Sequence, residues 1–530
     1  TNRIHQVNRR QNFAHTLSLS LSMADFRAKL RTASVVAGPV VGFLTWWFLP
    51  AEFRGADGIP VEFSMAGRLT LAVMVWMAIW WLTEAVELAT TALLPVTILP
   101  LVGAVSIVDA AAPYAHRLIF LFIGGFTIAL SMQRWGLDKR IALKTLRLVG
   151  TKPANMIGGF MIATAFLSAF ISNTATTAMM LPIALSVVVL LKDRLGEAGR
   201  TGNFGVALML AIAYSASMGG LSTLVGTPPN AFLASFVSDS IAEPYRSEIS
   251  MAKWMLFGVP VTLCMLPIAW VLLTKFLYPV PSVEIEGGKE LIDKEYHDLG
   301  PLSWGERVTL VIFGITAFAW ITGPYLKMIS FSLGGMVIKP FATLSDPGIA
   351  MAAAVLLFVI PARTEKRDTV MNWETGLKMP WDILILFGGG MSLAASVKAT
   401  GVAVFLGSQA TYLAGLPTIM LLLFVIMAVI LLTELTSNLA TTATLLPVLA
   451  ALAPGLNIHP YLLIFPATIA ASCAFMMPVA TPPNAIVFGS RMVTIPQMIR
   501  AGVWMNIAGV AVITILAWFL LEPVTGISLK

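Results

Sequence analysis

Two stretches of the chain carry nearly the same residues, SNTATTAMMLPI at 172–183 and SNLATTATLLPV at 437–448. Ser, Asn, Ala, Thr, Thr, Ala, Leu and Pro recur at the same places, at an offset of 265 residues (437 minus 172). The same offset relates FIGGF at 122–126 to FGGGM at 387–391. The chain therefore contains an internal repeat, and the repeat predicts its architecture.

The composition excludes a water-soluble protein. Of the 530 residues 57% are hydrophobic and 12% are charged, which is about half the charge of an ordinary globular chain. Lipid must cover the apolar surface that polar residues cannot cover. A soluble enzyme, a disordered protein and a secreted disulfide scaffold are excluded, and the two cysteines, Cys264 and Cys473, both lie in apolar stretches. We assign the net charge of +7 to cytoplasmic loops rather than to nucleic-acid binding.

Apolar runs of about 20 residues predict an all-α polytopic membrane protein. The runs give eleven spans, at 33–50, 69–85, 88–103, 117–132, 204–238, 252–278, 306–322, 348–361, 381–398, 460–490 and 501–521. Two further runs, 154–191 and 417–452, are interrupted by Ser-Asn. We expect them to be re-entrant hairpins that return on the side from which they enter. With a cytoplasmic N-terminus, this arrangement places the Lys and Arg clusters inside, at 27–31, 134–152, 192–200, 363–367 and 491–500.

The repeat also predicts the order of segments along the chain. They are a disordered tail at 1–22, a first helix and outer loop at 23–68, repeat 1 at 69–278, a cytoplasmic linker at 279–305 and repeat 2 at 306–522. Each repeat contains one hairpin followed by one broken helix, 204–238 in the first and 460–490 in the second. Because each half holds an odd number of spans after the first helix, the halves must be inverted. Inverted-repeat transporters bind their ligands near the bilayer midplane, where the repeats meet.

The hairpin tips 172–174 and 437–439 carry the first candidate chemistry. Ser and Asn favour caps and turns over helix interiors, so a helix is expected to start near Ala175 with free N–H groups and a positive dipole end. Such an end binds anions without Lys or Arg. A packing turn would explain one tip, but two tips at repeat-related positions favour a ligand site.

The motif TPPN carries the second candidate chemistry. It occurs at 227–230 and again at 481–484, at an offset of 254 residues. Paired prolines break a helix, and the carbonyls freed in a membrane need partners. Small residues precede both copies, among them Gly220, Gly226 and Ala480. Unwound carbonyls beside Ser, Thr and Asn oxygens predict a cage for a hard cation.

Other residues give weaker signals for a functional site. His116 and His459 are expected to cap helices, and the glycines at 388–390 to allow close helix packing. Glu434 either braces the second hairpin or takes part in coupling, since intramembrane carboxylates are functional candidates. The remaining carboxylates near apolar segments are Glu84, Glu87 and Asp382. No HExxH, GxSxG or GxxxxGK[ST] motif occurs, so we do not expect an enzyme.

Taken together, these motifs resemble those of the divalent-anion/sodium symporter family. The resemblance rests on SNTATT at 172–177, TSNLATT at 436–442, the two TPPN motifs and LTEAVELATTALLP at 82–95, and it extends from roughly residue 33 to 522. It implies a symporter of succinate, malate, fumarate, citrate or sulfate. It also implies a homodimer in which a transport domain moves like an elevator against a scaffold domain.

The resemblance further implies which residues bind substrate and sodium. Substrate is expected between the tips and the TPPN motifs, at Ser172, Asn173, Thr174, Thr227, Pro228, Ser437, Asn438, Leu439, Thr481 and Pro482. The first sodium site matches Ser168, Ser172, Asn173 and Gly226, and the second matches Thr433, Thr436, Asn438 and Ala480. Leu439 stands where many members have Thr. The missing hydroxyl favours a plain C4 dicarboxylate over citrate, and sulfate is the least favoured anion.

The charges of the site agree with sodium coupling. A dicarboxylate carries two negative charges, neither hairpin contains Lys or Arg, and a helix end supplies only about half a charge. At least two sodium ions would balance the substrate and couple the two solutes. We therefore expect an integral protein of the plasma (inner) membrane that takes up succinate, malate or fumarate with sodium. The alternatives are a citrate or sulfate symporter, an exchanger, a proton-coupled carrier, a channel or a membrane-embedded enzyme.

Overall fold

The computed structural model describes residues 29–55, 59–150, 152–195, 200–241, 245–282, 287–333, 336–363, 368–410 and 417–526. The predicted tail at 1–22 lies outside these residues, as do Arg27, Lys366 and Arg367 of the basic clusters. The described chain is mostly helical, with two short antiparallel strand pairs in loops.

The first half of the chain runs from the first helix to the end of the linker. Its elements are α1 (29–48), β1 (Glu52–Arg54), β2 (Pro60–Glu62), α2 (Met65–Thr83), α3 (Leu88–Thr91), α4 (Leu94–Leu101), α5 (Ile107–Ala111), α6 (Arg117–Trp135), α7 (Leu137–Val149), α8 (Pro153–Ser168), α9 (Asn173–Leu195), α10 (Arg200–Gly220), α11 (Pro228–Asp239), α12 (Met251–Val271) and α13 (Gly288–Asp298). A 3-10 turn at Ala112–Ala115 precedes α6, and a π turn at Leu272–Leu277 extends α12.

The second half follows a similar order. Its elements are α14 (Trp304–Leu326), β3 (Phe331–Leu333), β4 (Met336–Ile338), α15 (Asp346–Val359), α16 (Trp373–Gly376), α17 (Trp381–Ala399), α18 (Val402–Ala410), α19 (Thr418–Thr433), α20 (Asn438–Gly455), α21 (Tyr461–Ala471), α22 (Pro482–Gly489) and α23 (Ile495–Thr525). The helix pairs α8/α9 and α19/α20 occupy the predicted hairpins, and α10/α11 and α21/α22 the predicted broken helices.

Nine helices of the described residues are long and apolar enough to cross a membrane, whereas the sequence predicted eleven spans. The predicted spans 33–50, 88–103, 348–361 and 460–490 have no counterpart among the nine. For the last three of these four the cause is length. The run Leu88–Leu101, α15 and α21 have 10–17 residues, and at 1.5 Å per residue they fall short of a hydrocarbon core about 30 Å thick. Conversely, Asn173–Leu191 and α20, which the sequence placed in hairpins, reach spanning length.

Helices also occupy segments that were predicted as loops or linkers. The linker 279–305 contains α13, and a basic cluster lies on α7. These two helices pack together through the ion pairs Arg147–Asp293, at 2.6 Å, and Lys139–Glu295, at 3.1 Å. The polar residues that suggested a solvated linker therefore hold it against the body of the protein.

A buried ion pair fastens α7 to the start of α14. The Arg140 guanidinium donates to Glu306 Oε1 at 2.6 Å, and both side chains are less than a tenth exposed. Replacing Arg140 with methionine is expected to lower the unfolding free energy by about 3–5 kcal/mol, because the carboxylate stays buried without its partner. Unfolding in detergent, followed by tryptophan fluorescence, measures this loss. Lys144→Met, at an exposed position of the same helix, is the control, and equal stability of the two variants would contradict the prediction.

The glycines of α17 allow three neighbours to contact its backbone, which confirms their predicted packing role. A Cβ on Gly388 would lie 2.5 Å from Tyr114 Cδ1, and one on Gly390 would lie 2.5 Å from Phe232 Cε2. Gly389 is in equally close contact with the Ala92 carbonyl. Since Phe232 belongs to α11, the glycine run brings the second part of a broken helix directly against α17.

Candidate functional site

The four helix breaks of the two repeats surround one cavity of about 630 Å³, which we call the central cavity. Both hairpin tips and both TPPN motifs line it, although the tips lie 265 residues apart in sequence. All ten predicted substrate-binding residues are among its lining residues, namely Ser172, Asn173, Thr174, Thr227, Pro228, Ser437, Asn438, Leu439, Thr481 and Pro482. The fold therefore brings the two sets of motifs together.

Each tip is the start of a helix that points its N-terminus at the central cavity. α9 begins at Asn173 and α20 at Asn438, so the first helix starts two residues earlier than the predicted Ala175. Ser172 Oγ accepts a hydrogen bond from the Ala175 N–H at 3.3 Å. The other N–H groups of each first turn that make no intrahelical bond, together with the positive dipole ends, can stabilise an anion in the cavity.

A cluster of three oxygens lies behind the first tip. Ser168 Oγ is 2.5 Å from Asn173 Oδ1 and 2.7 Å from the Ala216 carbonyl oxygen. A hydroxyl has one proton to donate, so with the amide oxygen in this orientation one of the two contacts joins lone pairs. A cation among these oxygens would remove that repulsion. Ser168 itself is fully buried and does not line the cavity.

The second repeat reproduces this cluster. Thr433 Oγ1 is 2.9 Å from Asn438 Oδ1 and 2.6 Å from the Ala471 carbonyl oxygen. Again one hydroxyl proton faces two acceptors, and again the amide oxygen is the atom turned toward the hydroxyl. Among the predicted ligands, Thr436 stands apart, because its hydroxyl contacts Leu432 O and Thr441 Oγ1 instead.

The backbone of the first broken helix approaches the first cluster closely. A Cβ on Gly220 would lie 2.6 Å from Asn173 Oδ1, and one on Gly226 would lie 2.5 Å from the Gly220 carbonyl. A side chain at position 226 would therefore force the backbone to shift, and one at position 220 would displace the Asn173 amide. The equivalent of Gly226 in the second repeat is Ala480, which lines the central cavity as Gly226 does.

The TPPN prolines stand at helix starts rather than inside helices. Pro228 and Pro482 are the first residues of α11 and α22, where the missing N–H has no intrahelical partner to lose. Thr481 caps its helix by accepting from the Asn484 N–H at 3.3 Å. The unwound segments 221–227 and 472–481 thus separate two helices each, and the last residues of both segments line the central cavity with the hairpin tips.

The rest of the cavity lining comes from α2, α3, α6 and α17. Of these residues, the sequence had named only Glu84 and Asp382 as candidates. They line the cavity together with Leu88, Phe126, Ile383 and Leu386. The described lining residues include no Lys or Arg. Only the positions of the two carboxylates beside apolar runs drew attention to them. An anion in the cavity would therefore meet helix ends and neutral donors together with two carboxylates, of which Glu84 forms an ion pair with Arg31 at 3.8 Å.

Glu434 ties the second tip to the unwound segment behind it. Its Oε1 accepts from the Phe475 N–H at 2.7 Å and from Asn506 Nδ2 at 2.8 Å. Its carboxylate also accepts from the N–H groups of Met476 and Met477. These contacts brace the second hairpin, as one of the two predictions for Glu434 required. A role of Glu434 in sodium coupling stays a prediction. Nothing in the sequence pointed to Asn506.

The tips differ at their third residue. Thr174 is exposed in the central cavity, whereas Leu439 is only 5% exposed and packs into the core at the cavity edge. His116 caps α6 as predicted, since its Nδ1 accepts from the Leu118 N–H at 3.3 Å. His459 comes one residue before the N-cap of α21, Pro460, and its Nδ1 accepts from the Tyr461 N–H at 3.2 Å.

Comparison with known proteins identifies the class. Residues 34–524 match the family described as the sodium:sulfate symporter transmembrane region, and the chain belongs to this family. It is 40% identical over 474 residues to the sodium-dependent dicarboxylate transporter SdcS of Staphylococcus saprophyticus, with 88% of this chain and 89% of that one covered. SdcS of Staphylococcus aureus is 37% identical over 504 residues, which cover 94% and 92% of the two chains.

Two solved structures share the fold at low identity. MtrF of Neisseria gonorrhoeae, from a class of antimetabolite efflux pumps, has a TM-score of 0.57 at 13% identity over 94% of this chain and 96% of that one. The YdaH transporter of Alcanivorax borkumensis has a TM-score of 0.54 at 14% identity over 77% and 86%. At these identities the likeness concerns the fold alone.

Proposed function

We propose that this protein takes up C4 dicarboxylates, such as succinate, malate or fumarate, together with sodium ions. The carrying observation is the pair of repeat-related oxygen clusters at Ser168–Asn173 and Thr433–Asn438, each with one proton between two acceptors. Each cluster lies behind a helix N-terminus, and both N-termini reach the central cavity. The described lining of that cavity contains no Lys or Arg. The names of the Staphylococcus relatives support the same pair of solutes.

The arrangement explains how anion binding would depend on sodium. Two helix ends contribute about half a positive charge each, which leaves a dicarboxylate incompletely neutralised. One sodium ion in each cluster would supply the rest, so that ion and substrate strengthen each other's binding. We assign both roles to Asn173 and Asn438. Oδ1 faces the oxygen cluster, and Nδ2 would donate to a substrate carboxylate. The proposed stoichiometry is at least two sodium ions per substrate.

We also propose the setting in which this site works. The positive-inside pattern supports a cytoplasmic N-terminus in the plasma membrane, and the repeat supports inverted halves with the tips near the midplane. The family resemblance supports a homodimer with an elevator-type transport domain and no organic cofactor or catalytic activity. Light scattering of the purified protein tests the dimer.

Uptake of labelled succinate into proteoliposomes tests the function. An inward sodium gradient is expected to drive accumulation that potassium cannot support. An unchanged rate in potassium-only buffer would contradict sodium coupling, accumulation driven by a proton gradient alone would indicate a proton-coupled carrier, and uptake only against internal dicarboxylate would indicate an exchanger. Stronger competition by citrate or sulfate than by malate would contradict the substrate class.

Leu439→Thr is expected to improve the competition of citrate against labelled succinate by about 2- to 13-fold, the value of one neutral hydrogen bond. The new hydroxyl would stand at the cavity edge, where a more heavily substituted anion has a group to accept from it. Leu435→Thr, on the exposed side of the same tip, is the control. The selectivity argument fails if citrate already outcompetes succinate in the unmodified protein.

A further inference from the structure

The two TPPN asparagines make the same contacts in both repeats. Asn230 and Asn484 are fully buried. Asn230 Nδ2 donates to the carbonyl oxygens of Gly220 at 3.0 Å and Thr223 at 2.7 Å, with Leu221 at 3.4 Å. Each asparagine thus reaches back across the unwound segment that precedes its own helix.

Asn484 Nδ2 donates to the equivalent carbonyls in the second repeat, Ala474 at 3.1 Å and Met477 at 3.0 Å. The offset is 254 residues for the donors and for both shared acceptors. Two independent stretches of sequence have therefore kept the same side chain on the same pair of carbonyls.

The carbonyls fix the orientation of both amides. An amide oxygen turned toward them would place lone pairs against lone pairs, so the NH₂ group must face the unwound segment. As a result, Asn230 Oδ1 and Asn484 Oδ1 are buried without a hydrogen-bond partner among the described residues. Both repeats bury the amide oxygen without a partner. This indicates that the hydrogen bonds of the NH₂ group stabilise the structure by more than the unpaired oxygen destabilises it.

The segments held in this way form the back of the proposed sodium sites. Gly220 abuts Asn173, since a Cβ on Gly220 would lie 2.6 Å from Asn173 Oδ1 and 3.2 Å from the Gly226 carbonyl oxygen. In the second repeat, the Met477 carbonyl that Asn484 holds also accepts from the Ala480 N–H at 3.2 Å. Asn230 therefore fixes the carbonyl of Gly220, which lies next to the candidate ligands Asn173 and Gly226. Asn484 fixes the carbonyl of Met477, which lies next to the candidate ligand Ala480.

We propose that Asn230 and Asn484 are positioning residues for the two sodium sites, which hold the unwound carbonyl segments in the shape that the ions require. This inference rests on the proposed sodium coupling. The asparagines do not contact the ion. They keep the segments from relaxing when the sites are empty, so that sodium binds to a cage already formed.

Asn230→Leu and Asn484→Leu test the proposal, because leucine has nearly the same volume and no donor. The sodium concentration for half-maximal thermal stabilisation in detergent is expected to rise about tenfold in each, the effect of losing two neutral hydrogen bonds. The same shift is expected in sodium activation of succinate uptake, while the succinate KM at saturating sodium stays near the wild-type value. Asn203→Leu is the control, since Asn203 Nδ2 donates to the Pro279 carbonyl away from both sites.

The outcomes separate this inference from the function on which it rests. If the wild-type protein shows no sodium response, the proposed function fails. If the wild type responds and both leucine variants keep its half-saturating sodium concentration, the asparagines are structural and the inference is overturned. Should a leucine variant not fold, Asn230→Ala or Asn484→Ala takes its place, because alanine removes the same donors without adding apolar volume. The same rise in the half-saturating sodium concentration is then expected.

Discussion

Replacing Asn173 or Asn438 with alanine is expected to reduce sodium-driven uptake by about 100-fold or more. Each change removes an amide oxygen from an oxygen cluster, 2.5 Å from Ser168 or 2.9 Å from Thr433, and an amide donor from the central cavity. Hydrogen bonds to charged groups contribute about 1.5–3 kcal/mol each, so the loss of an ion contact and a carboxylate contact together gives this magnitude. Initial rates of succinate uptake in proteoliposomes measure it.

The loss of uptake must be separated from a loss of fold. Thermal unfolding in sodium-free buffer is expected to change little, because neither alanine leaves a buried donor without a partner. Asn203→Ala removes an amide outside the cavity and is expected to keep wild-type uptake. Substantial sodium-driven uptake by either cavity variant would show that its asparagine serves neither solute.

Replacing Glu434 with alanine is expected to lower the unfolding free energy by about 3 kcal/mol or more. The carboxylate is buried and accepts from three consecutive backbone N–H groups, 475–477, and from Asn506. Each buried donor left without an acceptor costs about 1–3 kcal/mol. Glu434→Gln is expected to be intermediate, because one oxygen remains while the new NH₂ group opposes the backbone donors.

Unfolding in detergent, with Glu522→Gln at an exposed position of α23 as control, measures this effect. Glu434→Ala should also raise the sodium requirement of uptake, since the unwound segment 472–481 would lose its contact with the tip. A variant as stable as Glu522→Gln would show that the segment is held by other contacts.

The repeat made much of the site predictable. Ser172 and Ser437 occupy equivalent positions of the repeat, and an inverted repeat brings equivalent positions together. A common cavity could therefore be predicted from the sequence. The TPPN prolines marked the second pair of breaks for the same reason. In each case a residue type disfavoured inside a helix stood in an apolar run, where nothing else explained it.

The rest of the cavity lining and the supporting contacts were not predictable. Glu84 and Asp382 line the cavity because α2 and α17 both pack against α20, which begins at the second tip. The glycine run 388–390 predicted close packing of α17, but nothing in the sequence showed which helices it would meet. Asn506 donates to Glu434 across 72 residues of sequence, and no periodicity links them. Leu439 showed the difference between the tips, but only the fold showed that its side chain is buried.

The two oxygen clusters have equivalent contacts but differ by one methyl group. Ser168 and Thr433 are both buried, and each hydroxyl contacts an amide oxygen and a backbone carbonyl oxygen. Thr433 is β-branched, so its χ1 angle has fewer accessible rotamers than that of Ser168. A side chain with more rotamers loses more conformational freedom when an ion fixes it. The two sites are therefore expected to differ in their affinity for the same ion, although their oxygens correspond one to one.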